Sequence, residues 1–224
     1  MRKGLLSACI LSLFLLATAC ISRVKQDNSL KTGDLIFIGI PASYTLDGGS
    51  IADAIADATG NDTLNIIHVA IAEVEADTTW VVDATIKHNT DRHPLDTMIK
   101  AFALKNGVAA TYIVKRLPDT CDVKSAVERA KTYCGQPYDF AFLPDNDAMY
   151  CSELIQVSYL DSKGNNLFQN KPMNFKNKEG EFPLYWVQLF ERLGRDIPQD
   201  IPGTNPQEMS TSPLLTTIDI DICR

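Results

Sequence analysis

Cys134-Gly-Gln-Pro-Tyr-Asp-Phe-Ala-Phe-Leu-Pro-Asp-Asn-Asp-Ala-Met-Tyr-Cys-Ser-Glu-Leu-Ile-Gln-Val-Ser-Tyr159 is the stretch that decides how this chain is read. It begins where one predicted helix stops, crosses a turn-rich connection and delivers Cys151 to the start of another. Leu154, Ile155, Val157, Tyr159 and Leu160 recur at helical spacing over 151–161, and Lys163-Gly164 supplies the stop. A cysteine in a first helical turn meets unpaired backbone N–H groups and the positive end of the helix dipole, which stabilise a thiolate. Free cysteine is also among the most buried residue types. Position alone therefore leaves both a core role and a nucleophilic role open for Cys151.

Working outward, a nucleophilic thiol needs a base, and the base needs a group that fixes its tautomer. The chain has three histidines. His88 and His93 lie in the polar run Lys87-His-Asn-Thr-Asp-Arg-His93 and are expected to be solvated. His68 instead interrupts an apolar β-rich run, Leu64 to Val74. Asp83 likewise interrupts Thr79 to Ile86, where an acid costs free energy unless charge or hydrogen bonds offset its burial. The two runs read as one antiparallel hairpin with its turn at 75–78, so that His68 and Asp83 can share a face. A hydrogen-bonded core histidine is the competing reading of His68.

The remaining elements frame this hairpin. A first strand is expected near 34–39, and a short helix over 51–58 with Ser50 as N-cap and Gly60 as stop. Helical spacing covers Pro94 to Leu104. A strand follows over 110–117, then a helix from Val123 to Cys134 capped by Asp122 and ended by Gly135. Residues 168–180 read as a surface loop and 183–193 as a short amphipathic helix that starts at Pro183. Four prolines in the tail exclude long regular elements, and 214–222 is expected to add an edge strand. Strands with interspersed helices make this an α+β protein.

Composition excludes more than it assigns. A chain of 224 residues with 45% hydrophobic and 22% charged residues suits one globular domain. The net charge of −7, with no basic patch carrying interleaved aromatics, argues against a nucleic-acid partner. No Cys-x-x-Cys or His-x-x-x-His spacing points to a metal, and no phosphate loop or dinucleotide fingerprint points to a cofactor. Met1-Arg-Lys-Gly followed by the apolar run Leu5 to Ala17 has the form of an export signal too short to span a bilayer. Ala17-Thr-Ala-Cys20 then looks like a bacterial lipoprotein cleavage site with Cys20 as the lipid-bearing residue. The expected organisation is a signal at 1–19, a tether at 20–30 and one domain over 31–224, anchored to a membrane through Cys20 on its periplasmic or outer face. An ordinary secretory signal cut near Ala19 is the alternative. Cys121 and Cys134 flank a helix of about twelve residues, so they stand roughly 18 Å apart, beyond disulfide reach. Both are expected as free thiols at the core or its boundary.

Gly135-Gln-Pro-Tyr138-Asp-Phe and Tyr150-Cys-Ser-Glu153, preceded by Gly33-Asp34-Leu-Ile-Phe, His68-Val and Val82-Asp-Ala84, together resemble the permuted papain-like amidases of the YiiX/YaeF type, within the NlpC/P60 superfamily. The order of histidine strand before cysteine helix is the permuted one. The resemblance covers residues 31–160, and more loosely Asn205-Pro-Gln-Glu. It implies a circularly permuted papain-like fold with a central antiparallel sheet packed by helices. It also implies Cys151 as nucleophile, His68 as general base and Asp83 as third polar residue. Asp83 stands where a family member carries Glu, so it is expected to sit closer to His68 or to act through water. Tyr138 matches a tyrosine near the thiol that assists the oxyanion, with the Cys151 N–H as the other donor. Ser152 and Glu153 follow the nucleophile, and Glu153 is either an amine-recognising group or a structural helix residue. The implied activity is hydrolysis of an amide, with cell-wall peptide as the natural substrate of an exported protein. Hydrolysis or transfer of acyl groups on lipids is the alternative, and a binding module without turnover is the reading from another class.

Overall fold

The computed structural model describes residues 29–44, 49–60, 63–76, 78–144 and 146–223. The signal, Cys20 and most of the tether lie outside the described residues. In chain order the elements are β1 (Leu35–Pro41), α1 (Ile51–Thr59), β2 (Leu64–Glu75), β3 (Thr78–Thr85), β4 (Asn89–Pro94), α2 (Leu95–Ala101), β5 (Thr111–Arg116), α3 (Val123–Thr132), α4 (Cys151–Ser158), β6 (Lys171–Pro172), α5 (Leu184–Leu193), β7 (Pro202–Gly203), α6 (Pro206–Ser210) and β8 (Thr216–Ile218).

Six strands form one antiparallel sheet in the order β4-β3-β2-β1-β5-β8. β1 and β2 are near-continuous apolar runs because they lie at its centre, covered on both faces. Leu35, Phe37, Val69, Ile71 and Val82 face a core completed by α3, α4 and the aromatic cluster of Phe142, Phe175, Trp186 and Phe190. On the other face Ile36, Ile38, Ala70, Val81 and Val114 pack against Met98 and Ile222. At roughly 25 cal/mol per Å² of apolar surface buried, these two layers are the main source of stability.

The local signals act as their chemistry requires. The Ser50 hydroxyl accepts from the Asp53 N–H at 3.1 Å, and the Asp122 carboxylate accepts from the Ser125 N–H at 3.1 Å. α5 ends at Gly194, left-handed at φ 63°. Gly33, at φ 88°, precedes Asp34, whose carboxylate takes two bonds from the Arg116 guanidinium at 2.6 and 2.7 Å. That pairing joins the start of β1 to the end of β5.

Four expectations need correction. Residues 89–94 are strand β4, not a solvated connection, since β3 supplies their ladder partners. Helix α2 stops at Ala101, short of Leu104. Residues 168–180 contribute Phe168, Met173 and Phe175 to the core and pair through Lys171–Pro172 with Pro202–Gly203. Cys134 is exposed, because α3 ends two residues before it, whereas Cys121 packs at the core edge. All four cysteines among the described residues are free thiols.

Candidate active site

The site forms where the sheet opens. The ladder between β2 and β3 runs from Glu75–Thr78 as far as Ile71–Val82 and stops. Beyond that point β2 continues along β1 while β3 continues along β4. The β1–β2 register also shifts between His68 and Ile66, a bulge that leaves Ile67 without a counterpart. Bulges bend a strand and re-aim its side chains. The resulting gap is bridged by a side-chain bond, His68 Nε2 to Asp83 Oδ2 at 2.8 Å. Asp83 is thus in direct contact with His68, although it is the shorter acid.

The thiol arrives from the other side. α4 packs on β2 and β3 with Cys151 as its first residue, and the first N–H to find an acceptor in the helical ladder is that of Leu154, on Tyr150 O at 3.1 Å. With Nε2 committed to Asp83, the His68 ring has Nδ1 left for Cys151, which lines the same groove and is near enough for its charge to act on the imidazole. Burial by itself lowers the affinity of His68 for a proton. The charge of the Cys151 thiolate, the Asp83 and Cys151 hydrogen bonds and the Asp83 charge outweigh it and push the pKa to about 10. Asp83 has no solvent exposure. Its burial favours the neutral acid, yet bonds and charges from His68 and His93 hold it below the usual carboxylate range. Phe102 lies against the His68 ring at 4.6 Å between centroids.

Tyr138 is buried beside Cys151, held there by the connection that precedes α4. The N–H of Thr90 donates to Gln136 O at 2.9 Å, that of Gly135 to Thr90 O at 2.7 Å, and that of Tyr138 to Asn89 Oδ1 at 3.3 Å. Gly135 adopts φ 97°, which a side chain would strain. Burial, then the nearby thiolate charge, pushes the Tyr138 phenol well above its ordinary range, so it remains an O–H donor. Glu153 accepts from the Tyr150 N–H at 3.4 Å, the reciprocal cap of the cysteine helix. Ser152 is fully buried and its hydroxyl accepts from Thr204 Oγ1 at 3.0 Å. The Tyr150 hydroxyl accepts from the Thr204 N–H at 3.1 Å.

Cys151 opens onto two spaces. A groove of about 350 Å³ is lined by His68, Tyr138, Phe102, Thr85, His88 and the rim lysines Lys87 and Lys100. A narrow slot of about 40 Å³ on the other side is lined mainly by apolar and aromatic groups, among them Phe142, Tyr150, Met173, Phe175 and Trp186.

Sequence reasoning missed three participants. His93 is buried, with Nε2 2.9 Å from Asp83 Oδ1, contrary to its expected solvation. Gln207 accepts the Ile66 N–H through its side chain at 2.8 Å. Thr204 fastens Tyr150 and Ser152. Only the Asn205-Pro-Gln-Glu run gave a signal, and that a loose one.

A cysteine opening a helix, its histidine on an earlier strand and an acid on the next make up the papain-like arrangement in permuted chain order. The chain belongs to the permuted papain-like amidase family of the YaeF/YiiX type, C92, whose model matches residues 29–219. It is 30% identical over 118 residues to the uncharacterized protein YiiX of Escherichia coli strain K12, a match that takes in 51% of this chain and 57% of that relative. A crystal structure of metalloprotein YiiX from Escherichia coli O157:H7 is similar with a TM-score of 0.62 and 26% identity, covering 85% of this chain and 97% of that one. The word metalloprotein describes that relative. Here, among the described residues, no group of three or more His, Cys, Asp or Glu side chains is placed to hold a metal ion. Nor is any helix among them long and apolar enough to cross a membrane. Family membership makes this a protein of cysteine-hydrolase type.

Proposed function

We propose that this protein hydrolyses amide bonds through a Cys151-His68-Asp83 triad and a thioester, acting on peptide or acyl-amide substrates outside the cytoplasm, where a lipid on Cys20 tethers it. The observation that carries the reading is a buried imidazole bonded to a carboxylate and sharing one groove with a thiol at a helix N-terminus. His68 Nδ1 takes the Sγ proton of Cys151, and the thiolate attacks the acyl carbon. The C–S bond forms as the carbonyl electron pair moves onto oxygen. The Cys151 N–H and the Tyr138 hydroxyl stabilise that oxyanion. The C–N bond then breaks, with the proton on His68 Nδ1 passing to the leaving amine. Water next gives a proton to Nδ1 and attacks the thioester, and the thiolate departs as the acid is released. The general-base and oxyanion contributions are each worth about 10²–10⁴-fold. Cell-wall peptide is the proposed natural substrate. The apolar lining of the narrow slot favours a second reading, acyl-lipid or acyl-amide hydrolysis or transfer.

The test is iodoacetamide labelling across pH, followed at each cysteine by peptide mass, with Cys121, Cys134 and Cys223 as internal controls. Fastest labelling at Cys151, slowed by His68→Ala, supports the thiolate–imidazolium pair, and Cys151→Ser is expected to fold and to abolish turnover of muropeptides or acyl amides. Labelling at Cys151 no faster than at the controls favours a binding module instead.

A further inference from the structure

Asp83 is held by two imidazoles, and the mechanism above uses only one. On β4, His93 is the ladder partner of Val81, and Asp91 is the partner of Asp83. His93 is thus the diagonal neighbour of Asp83 on one face, within reach across two strands. Its Nε2 lies 2.9 Å from Asp83 Oδ1 and its Nδ1 lies 3.3 Å from the Pro94 carbonyl. A carbonyl oxygen only accepts, so Nδ1 must carry hydrogen to bond it. A carboxylate also only accepts, so Nε2 must carry hydrogen as well. The doubly protonated ring is the form that satisfies both partners at once.

We infer that His93 is a positioning residue for the proposed reaction, a buried imidazolium that fixes the Asp83 carboxylate and offsets its charge. The inference rests on the triad reading. A fully buried carboxylate with one histidine partner would hold the His68 proton tightly, because opposite charges attract strongly where water is excluded. His68 must nevertheless release that proton to the leaving amine. A second cation on the other carboxylate oxygen weakens the hold without loosening the geometry. The charged and titratable groups around His93 are Asp83 on β3, His68 across Asp83, Asp91 on its own strand and the His88 ring at 5.6 Å. Burial opposes protonation of His93, whereas the bond and charge of Asp83, the Pro94 carbonyl and the charge of Asp91 raise its proton affinity above the usual histidine range.

The experiment is nitrogen-15 NMR of the imidazole rings in the whole protein, together with His93→Gln, whose amide keeps an N–H for Asp83 but carries no charge. At pH 7 both His93 nitrogens are expected to be protonated. In a Cys151→Ser background, which removes the thiolate, His93→Gln is expected to raise the His68 titration midpoint by about one unit, since a neighbouring like charge has been removed. In the protein with its thiol, His93→Gln lowers kcat with little change in KM. One unprotonated His93 nitrogen at pH 7, or a His68 midpoint unmoved by His93→Gln, overturns the assignment. The ring spectra of the unaltered protein decide even if His93→Gln does not fold. Fast Cys151 alkylation with an unmoved His68 defeats this inference alone, whereas slow alkylation defeats the triad reading and this inference with it.

Discussion

The Ile66 N–H donates to Gln207 Oε1 at 2.8 Å, a bond between residues 141 positions apart. Ile66 stands at the bulge where β2 changes register, two residues before His68. A regular ladder would have supplied that N–H with a backbone acceptor, and here a side chain from α6 supplies it. Gln207→Ala leaves a buried donor without its partner and is expected to cost about 1–3 kcal/mol in urea denaturation. Gln207→Glu keeps the acceptor and should cost less. Equal stability for the alanine variant and the unaltered protein would remove this role.

Asp83→Asn tests the buried charge. Asp83 is held below the usual carboxylate range. Its stabilisation is therefore present above pH ~3.8 and lost as pH falls through its folded value. His68 has the opposite sign. Its contribution is present below pH ~6.5 and is lost as pH rises through about 10. Removing the shared carboxylate should destabilise the protein by about 3–5 kcal/mol at neutral pH and flatten both limbs of its stability curve. A variant with both limbs intact contradicts the assignment.

Tyr138→Phe deletes the hydroxyl proposed as an oxyanion donor and keeps the ring that packs on Phe140 and Phe142. Turnover should fall about 10²-fold, while iodoacetamide alkylation of Cys151, which forms no oxyanion, stays near its original rate. Unchanged turnover removes Tyr138 from the mechanism.

Gly33→Ala combines two penalties. The residue sits at φ 88°, and a β-carbon there would collide with the Cβ of Val123. The Gly33 carbonyl also accepts from the Tyr159 hydroxyl at 3.0 Å, so displacement reaches the far end of α4. A loss of more than about 1 kcal/mol is expected from the backbone conformation alone. Adding Val123→Ala removes the two Cγ contacts but keeps both the Cβ collision and the strain, so little recovery in thermal unfolding is expected. Full recovery would show that neither the Cβ collision nor the backbone conformation carries a cost.

The central strands, the capped helices and the placement of Cys151 were legible because each follows from local chemistry: apolar runs, Ser50 and Asp122 as caps, and the Gly135–Tyr159 stretch. His68 and Asp83 could be paired because each breaks an apolar strand, so its burial had to be compensated. His93 was not legible. It lies in an edge strand whose neighbours are polar, and its burial depends on an acid ten residues earlier that only the β3–β4 register brings near. Gln207 was marked only by the loose resemblance of the Asn205-Pro-Gln-Glu run, since it answers a bulge that no sequence pattern announces. The buried aromatics at 168–175 were hidden among the Asn and Lys residues of their segment.

The double attachment of Thr204 to Tyr150 and Ser152 has a consequence for the timing of assembly. A ribosome delivers the histidine and acid strands first and the thiol about seventy residues later, while the segment that fastens the cysteine helix emerges fifty residues later still. A growing chain that has already released Cys151 therefore lacks the clasp over its neighbours, and the thiol meets solvent and oxidants before it meets a finished pocket. Chains halted before residue 204 should accordingly expose Cys151 to alkylating agents without the rate advantage proposed for the closed site.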